Sequence, residues 1–216
     1  DFAYFHSKID NYQVKTAISN AFGNTVYGAV DEVEINGIEL YARLDSQPYT
    51  GGPWNLFGEA VFTYADAEIA KSPIAAERGN DVPEVPKTVA ALTLGLEHRS
   101  GWDISATATY RGSFFVDALN TAAWTCVDED GGVNDCSGTT NPGFSGSTAE
   151  GVLGKVPDVW LLSARANYKI PDTGLTLFVS GQNLTNEFYI ADLADGAVPG
   201  IGRTLWAGFT WKFDND

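Results

Sequence analysis

The chain has 216 residues, of which 13 are lysine or arginine and 28 are aspartate or glutamate, so its formal net charge is −15 at pH 7. This acidity argues against nucleic-acid binding, which needs clustered cations to neutralise phosphates. The 23 glycines, the 12% aromatic residues and the modest 19% of charged residues are typical of a glycine-punctuated β-protein. No run approaches the ~18 consecutive apolar residues of a transmembrane helix, so any membrane crossing has to use strands.

Eight segments alternate apolar and polar side chains with a period of two, which is the pattern of β-strands, and none shows convincing helical periodicity. In chain order the predicted strands are Phe2–Tyr12, Val26–Asp45, Trp54–Ala67, Lys87–His98, Trp102–Phe115, Val156–Ile170, Leu175–Tyr189 and Leu205–Phe213. The opposite, polar faces of these strands place four cations towards an inferred lumen, namely Arg43, Arg111, Arg165 and Lys212.

The predicted connections alternate between short and long. The short ones are Gln47–Pro53, Arg99–Gly101 and Pro171–Gly174; the long ones are about Gln13–Thr25, Glu68–Pro86, Val116–Lys155 and Ala191–Ile201. Outer-membrane β-barrels have this sorting, with tight periplasmic turns and long extracellular loops. With an even number of strands, both ends of the segment are expected on the short-turn side.

Aromatic residues end several of the apolar faces, as in Trp102 with Tyr110 and Trp160 with Tyr168. Strands of this length rise roughly 30 Å at ~3.3 Å per residue. With a tilt of ~40–45°, they cover about 21–23 Å of the membrane normal, close to the ~25 Å apolar band and two aromatic girdles of outer-membrane barrels. The small alanines between the girdles fit a face that meets lipid better than a soluble core.

The two cysteines, Cys126 and Cys136, enclose a polar Gly/Asp segment. This spacing predicts a disulfide and an oxidising compartment, and two free thiols are the alternative. No histidine lies nearby, so no zinc site is expected. The acidic stretch Asp128–Asp135 offers the oxygen donors that Ca²⁺ prefers but lacks the EF-hand spacing, so no metal site is predicted there either.

The start of the chain has no methionine and no signal-peptide pattern. Asp1 is followed at once by a predicted strand. We therefore expect a segment of a longer chain, or a trimmed mature product.

Four stretches carry a family pattern: VEINGIEL at Val33–Leu40, the segment Val82–Thr121, VSGQNLTNEFY at Val179–Tyr189, and the final GRT followed by LWAGFTWKF. The matching positions are Gly37, Glu39, Asn183, Leu184, Tyr189, Arg203 and Phe213. Together they resemble the C-terminal part of the barrel of TonB-dependent outer-membrane receptors, and Val82–Thr121 is similar to the ferric-citrate type.

This resemblance implies an all-β fold, a transmembrane antiparallel β-barrel. Residues 1–213 would be the last eight strands of a barrel of about 22 strands, followed by a short acidic tail at 214–216, with the plug domain absent from this chain. It further implies a non-enzymatic receptor of the bacterial outer membrane that needs no cofactor. Its expected partners are outer-membrane lipid, the TonB system through a missing N-terminal region, and a scarce nutrient such as a ferric siderophore or ferric citrate-like chelate.

Two arginines lie nearest the predicted long-loop side, Arg78 and Arg111. A guanidinium holds carboxylates bidentately, so both are candidate contacts for an anionic chelate. Phe114, Phe115 and Trp124 are candidates for an aromatic mouth, with packing inside the loop as the alternative reading.

Three other interpretations remain open at this point. Eight strands alone can close into a complete small barrel that acts as an adhesion or lipid-binding module. A barrel hydrolase would need a Ser–His pair at one rim, and the chain has no GxSxG, HExxH or P-loop motif. A soluble lipocalin-like binder would turn its apolar face inward, which the aromatic girdles oppose.

Overall fold

The computed structural model describes residues 1–16, 26–127, 133–135, 154–193 and 197–213, and for 15–16, 26–27, 125–127 and 133–135 it describes the backbone only. One eight-stranded antiparallel sheet dominates this part of the chain, and its strands follow one another in sequence order. The strands are β1 (Phe2–Thr16), β2 (Val26–Asp45), β3 (Trp54–Lys71), β4 (Thr88–His98), β5 (Trp102–Arg111), β6 (Val159–Lys169), β7 (Leu175–Gln182) and β8 (Thr204–Trp211). The expected all-β antiparallel fold is confirmed.

Short elements decorate the connections. Three two-stranded ribbons pair Phe114–Phe115 with Lys155–Val156, Thr125–Val127 with Val133–Asp135, and Ile190–Asp192 with Val198–Pro199. The described residues include one short α-helix, Gln47–Thr50, and one 3₁₀ turn, Ala75–Glu77. Among these residues no helix has the length and apolar character needed to cross a membrane.

The helical turn corrects the expectation that no helix would be found. Pro48 lies in its first turn, where a missing N–H costs nothing, and Gly51 ends it in the left-handed region at φ 61°. One turn is too short for its periodicity to be visible in the sequence.

Several predicted boundaries were wrong, although each of the eight strands exists. β1 continues to Thr16 and β3 to Lys71, beyond the predicted ends at Tyr12 and Ala67. The predicted strand Trp102–Phe115 ends at Arg111. The remaining differences are shifts of one to three residues, except in β7.

In β7 the prediction placed seven residues too many in the strand, which ends at Gln182 rather than Tyr189. Asn183 and Asn186 have positive φ angles of 47° and 55°. Two left-handed residues within four positions turn the chain out of the sheet, whereas the single one at Asn11 leaves β1 continuous. The NLTNEFY motif is therefore a turn that leaves the sheet.

The sorting of connections holds for three of the four predicted long ones. Residues 46–53, 99–101 and 170–174 are short connections of eight, three and five residues, and 72–87, 112–158 and 183–203 separate consecutive strands by 16, 47 and 21 residues. Between β1 and β2 only nine residues remain, because β1 continues to Thr16. The amino group of Asp1 donates to the Tyr41 carbonyl at 2.7 Å, and the Lys212 N–H donates to the Gly174 carbonyl at 3.0 Å. Both ends of the described sheet thus lie on the short-turn side, as expected.

The sheet is open. β1 is one edge and β8 is the other, and the two do not pair with each other. A complete eight-stranded barrel requires that pairing, so this arrangement does not support the small-barrel alternative. The edge N–H and C=O groups of β1 and β8 are instead available to further strands.

Leucines and aromatic residues cover one face of the sheet, which we call the outer face. Leu92 is 50% exposed and Leu94 58% exposed, and the alanines of β5 and β6 lie beside them. Trp102 stacks on Tyr168 with ring centroids 4.5 Å apart at one end, and Tyr110 contacts Trp160 at 4.8 Å at the other. These pairs are the two predicted aromatic girdles.

The outer face changes character beyond the second girdle, on the long-loop side. In β1 to β3 its last apolar row contains Tyr4, Ile38 and Tyr64, which lie opposite one another. The next outward positions are charged or polar: His6, Lys8, Asn36, Glu34, Glu32, Asp66, Glu68 and Lys71. Lys8 and Lys71 each lie 2.8 Å from a carboxylate oxygen of Glu32.

A second ion-pair group lies just before β4. Lys87 contacts Asp66 at 2.8 Å and Asp81 at 2.9 Å. The hydrogen bond to Asp66, followed by that to Asp81, raises the pKa of Lys87 above its usual value. The amine is therefore charged at physiological pH.

The inner face shows the opposite change over the same rows. Between the girdles it is polar, and beyond them it is apolar, where Val33, Ala67 and Ile69 are buried. Val82 and Ala118, from two of the long connections, complete this apolar cluster. The long-loop end is thus packed like a water-soluble protein, while the middle of the sheet is built for lipid on one side and polar groups on the other.

This reversal predicts unequal effects of the same substitution on the outer face. In a lipid bilayer, Leu94→Arg places a charge midway between the girdles and should lower the free energy of unfolding of the protein by about 2–4 kcal/mol. Denaturant titration of the protein in lipid vesicles, followed by tryptophan fluorescence, measures this effect. The matched variant Glu68→Arg lies beyond the girdle and should change stability by less than about 0.5 kcal/mol; equal losses would contradict the assignment of the two zones.

Candidate functional site

Arg111, the last residue of β5, links the sheet to a distant connection. Its guanidinium donates to the carbonyl oxygens of Ile190 at 2.8 Å and Ala191 at 3.1 Å. The same group lies 5.1 Å from the centre of the Phe114 ring. Its Nε is buried and has no hydrogen-bond partner among the described residues. Arg111 therefore anchors the segment after β7 onto the end of β5.

Phe114 is buried in an apolar cluster with Val116, Val156 and Leu193. Trp124 packs against this cluster, and its indole N–H donates to the Lys155 carbonyl at 3.1 Å. Phe115 is half-buried, with the Lys155 amine 4.9 Å from its ring centre.

The structure thus brings four of the five predicted ligand contacts together at the base of the connection 112–158. Arg111 and Phe114 contribute mainly to packing and anchoring in this arrangement. Phe115 and Trp124 retain accessible surface. An open groove of about 540 Å³ lies beside Trp124 and is also lined by Trp160 and Phe188, two residues that were not predicted as contacts.

Arg78 lies in a different group. It belongs to the connection 72–87, is exposed, and donates from Nε to the Ser72 carbonyl at 2.7 Å. Arg78 and Arg111 donate to different residues, Ser72 in the first case and Ile190 and Ala191 in the second. The two predicted arginines do not form one site.

The strongest family motif has a structural role. Asn183 is buried, donates from Nδ2 to the carbonyls of Glu187 at 2.8 Å and Ile201 at 3.0 Å, and accepts from the Glu187 N–H at 2.8 Å. It therefore ties the chain leaving β7 to the chain entering β8. Asn186 adds a hydrogen bond by accepting from the Arg203 N–H at 3.1 Å.

Two motif residues, Tyr189 and Gly37, each belong to a close contact between an aromatic ring and a glycine. The Tyr189 ring lies directly over Gly200, and the Phe5 ring lies directly over Gly37; a Cβ at either glycine would clash with the ring. Leu184 donates from its N–H to the Leu162 carbonyl at 2.8 Å and so extends the pairing of β6 by one bond.

The other motif residues lie on exposed positions. Glu39 is exposed on the inner face of β2. Phe213 is 73% exposed at the short-turn end and stacks on Trp211 with centroids 4.7 Å apart.

The inner face between the girdles carries a charged network that sequence reasoning identified only through Arg43. This guanidinium lies 2.9 Å from Asp45, 3.6 Å from Glu59 and 3.5 Å from Glu97, and 4.2 Å from the centre of the Phe57 ring. The period-two pattern placed these side chains on one face, but only the strand register brings three carboxylates to one cation.

The predicted disulfide and the acidic stretch fall largely outside the described residues. The backbone of Cys126 lies opposite Asn134 in a short ribbon. Cys136, the residues 128–132 and the acidic tail 214–216 are not described.

An open antiparallel sheet with a lipid-compatible outer face, a polar inner face and sorted connections is a segment of the wall of a transmembrane β-barrel. A sequence model of the family described as "TonB dependent receptor-like, beta-barrel" matches residues 1–184. The chain belongs to this family, whose proteins are located in the bacterial outer membrane.

Solved structures have the same fold. The ferric citrate transporter FecA superposes with a TM-score of 0.59 at 22% identity, covering 91% of this chain and 26% of that protein. The siderophore receptor PiuA from Acinetobacter baumannii superposes with a TM-score of 0.57 at 21% identity, covering 94% of this chain and 24% of that protein. The inner face of the sheet is accordingly a lumen face.

A relative in sequence is the hemophilin receptor of Acinetobacter baumannii, which is 41% identical over 56 residues. That match covers 26% of this chain and 5% of the relative. The chain therefore spans only a small part of the relatives it matches.

The hydrogen bonds of Asn183 predict a large effect of its removal. Asn183→Ala in the full-length receptor should leave buried polar groups unpaired, at a cost of about 1–3 kcal/mol, and release the connection 183–203. The rate of proteolytic cleavage within this connection is expected to rise by at least tenfold. Asn186→Ala is the matched control, because it has a similar positive φ but an exposed side chain with fewer bonds; equal rates in the two variants would contradict the anchoring role.

Proposed function

We propose that this chain is the C-terminal barrel segment of a TonB-dependent receptor that takes up a ferric chelate, such as a ferric siderophore or ferric citrate, across the outer membrane. Membership of the TonB-dependent receptor-like family is the observation that carries the proposal. The similarity in fold to FecA and PiuA supports the proposal that this sheet forms part of the barrel wall of such a receptor.

In this proposal residues 1–213 supply the last eight strands. The rest of the protein supplies the remaining strands, which pair with the edges of β1 and β8, and a plug domain inside the lumen. The TonB system acts on that domain from the periplasm. The receptor performs no covalent chemistry.

The long connections capture the chelate on the extracellular side. Arg111 and Phe114 hold the base of the loops in place, and Arg78, Phe115 and Trp124 offer accessible surface for contact. A guanidinium can hold a carboxylate of a ferric citrate-type ligand with two hydrogen bonds. Because the chain has a net charge of −15, most of the positive potential for an anion must come from specific residues rather than from overall charge.

A second candidate ligand follows from the match to the hemophilin receptor. In that case the extracellular connections bind hemophilin instead of a small chelate. The two candidates share the barrel and the TonB dependence, and they differ in what the loops contact.

Uptake measurements separate these candidates. Iron-starved cells that express the full-length receptor should accumulate ⁵⁵Fe from ferric citrate or from a ferric siderophore, and accumulation should fall to background when either the receptor or TonB is deleted. Growth on hemophilin as the iron source, without uptake of any chelate, would select the second candidate. Equal accumulation with and without the receptor for all of these ligands would contradict the proposal.

Two arginine variants test how the loops contribute. Arg78→Gln should weaken the binding of ferric citrate to cells about tenfold by removing a charge-assisted hydrogen bond. Because it removes one bond, to the Ser72 carbonyl, it should lower thermal stability less than Arg111→Gln does. Arg111→Gln should lower both binding and thermal stability, because its bonds to Ile190 and Ala191 are structural. A larger loss of stability for Arg78→Gln than for Arg111→Gln, or a loss of binding alone for Arg111→Gln, would contradict the assigned roles.

A further inference from the structure

A small cavity lies on the lumen face of β5 to β8, and on β7 it reaches Gln182, the last residue before the connection 183–203. Its volume is about 280 Å³, and six of its nine lining residues have polar side chains. Its lining includes Ser105, Thr107, Ser163, Arg165, Ser180 and Trp206.

The register places this cavity halfway between the two girdles. Ser105 lies opposite Arg165, Arg165 opposite Ser180, and Ser180 opposite Trp206, so these residues form one row across four strands. On β5 this row follows Trp102 by three residues and precedes Tyr110 by five. Any ligand at this row is near the middle of the membrane, far from the extracellular capture site.

Arg165 is held in a fixed position but keeps part of its hydrogen-bonding capacity. Its Nε donates to the Asn167 amide oxygen at 2.8 Å, and its guanidinium stacks over the Phe178 ring at 4.5 Å. Asn167 is itself held by Asp103, to which it donates at 3.1 Å. Of the described carboxylates, none forms an ion pair with Arg165. Its two terminal nitrogens are therefore available to an incoming oxyanion.

Arg43 provides the contrast on the same lumen face. Three carboxylates surround it, so that wall carries excess negative charge and repels anions. The wall formed by β5 to β8 instead combines a cation without a carboxylate partner with a row of hydroxyl groups.

Ser180 supplies an independent observation. It is 9% exposed and lines the cavity, and its hydroxyl oxygen is buried with no hydrogen-bond partner among the described residues. Buried hydroxyls are nearly always paired, so an unpaired one marks a place where a partner is expected. Arg165 lines the same cavity, and a hydroxyl and a guanidinium that line one cavity can donate to the same anion.

We propose that Arg165, Ser180 and the neighbouring hydroxyls form an oxyanion subsite in the lumen that binds a carboxylate. The carboxylate has two possible sources, a citrate-type chelate in transit or an acidic side chain of the domain that fills the lumen. Both sources rest on the proposed function, the first on its ligand and the second on its lumen-filling domain. The stack on Phe178 orients the guanidinium, and Trp206 bounds the cavity on the β8 side.

Charged thiol reagents test the subsite in the full-length receptor in whole cells. Ser163→Cys places a thiol in the cavity, and its reaction rates are compared for a sulfonate-bearing and a trimethylammonium-bearing methanethiosulfonate. The ratio of the anionic to the cationic rate should fall about fivefold when Arg165→Gln is added. Lys169→Gln is the matched control, because Lys169 lies on the same face of the same strand, about 13 Å further along at ~3.3 Å per residue, and it should leave the ratio unchanged. Surface expression and heat-modifiable mobility confirm that each variant is assembled.

The same thiol identifies the source of the carboxylate. If the thiol reacts in cells without TonB and ferric citrate slows this reaction, the carboxylate comes from the chelate. If the thiol reacts only in cells with active TonB, an acidic side chain of the lumen-filling domain occupies the cavity and leaves it when TonB acts. An unchanged rate ratio in Arg165→Gln, or no reaction with or without TonB, would overturn the subsite. Uptake of ⁵⁵Fe is a separate readout, so the subsite and the proposed function can fail independently.

Discussion

Hydrocarbon offers no hydrogen-bond partner, so every backbone N–H and C=O group of a membrane-crossing strand must bond to a neighbouring strand. This requirement explains why consecutive strands pair in sequence order from β1 to β8. It also explains why the described sheet is not self-sufficient, because the outward edges of β1 and β8 have no partner in it. The unit that satisfies the constraint is a larger barrel, and relatives of which this chain covers about a quarter have that architecture.

The same solvent boundary explains the exchange of polarity along β1 to β3. Up to the row of Tyr4, Ile38 and Tyr64, apolar side chains face outward, where lipid stabilises them. Beyond that row, water replaces lipid on the outer face. Val33 and Ile69 therefore lie on the inner face, buried under the long connections, and charged residues occupy the outer face. A single strand therefore places its apolar residues on the outer face within the membrane and on the inner face beyond it. The first pattern gives the lumen a polar wall, and the second gives the long connections a packed apolar base.

The reversal also explains which parts of the structure the sequence predicts. The period-two pattern identifies all eight strands, and the girdles and the sorting of connections follow from the placement of Trp102, Tyr110 and the turn residues. The ends of β1 and β3 were missed because the apolar residues change face there. In the sequence this change interrupts the period-two alternation, as the end of a strand does. The turn after Gln182 was missed because positive φ angles at asparagine leave little signal in the sequence. The clusters around Arg43 and Arg165 depend on the register between paired strands, which a single sequence does not specify.

The position of the membrane boundary is the central claim, and a depth scan measures it directly. Spin labels are introduced at single outward positions of β3 in the full-length receptor in lipid bilayers, and their accessibility to oxygen and to a water-soluble nickel chelate is compared. Labels at Leu56, Ala60 and Phe62 should favour oxygen, and labels at Asp66 and Glu68 should favour the nickel chelate, with the crossover at Tyr64. A crossover below Phe62, or lipid-like accessibility that continues through Glu68, would contradict the account.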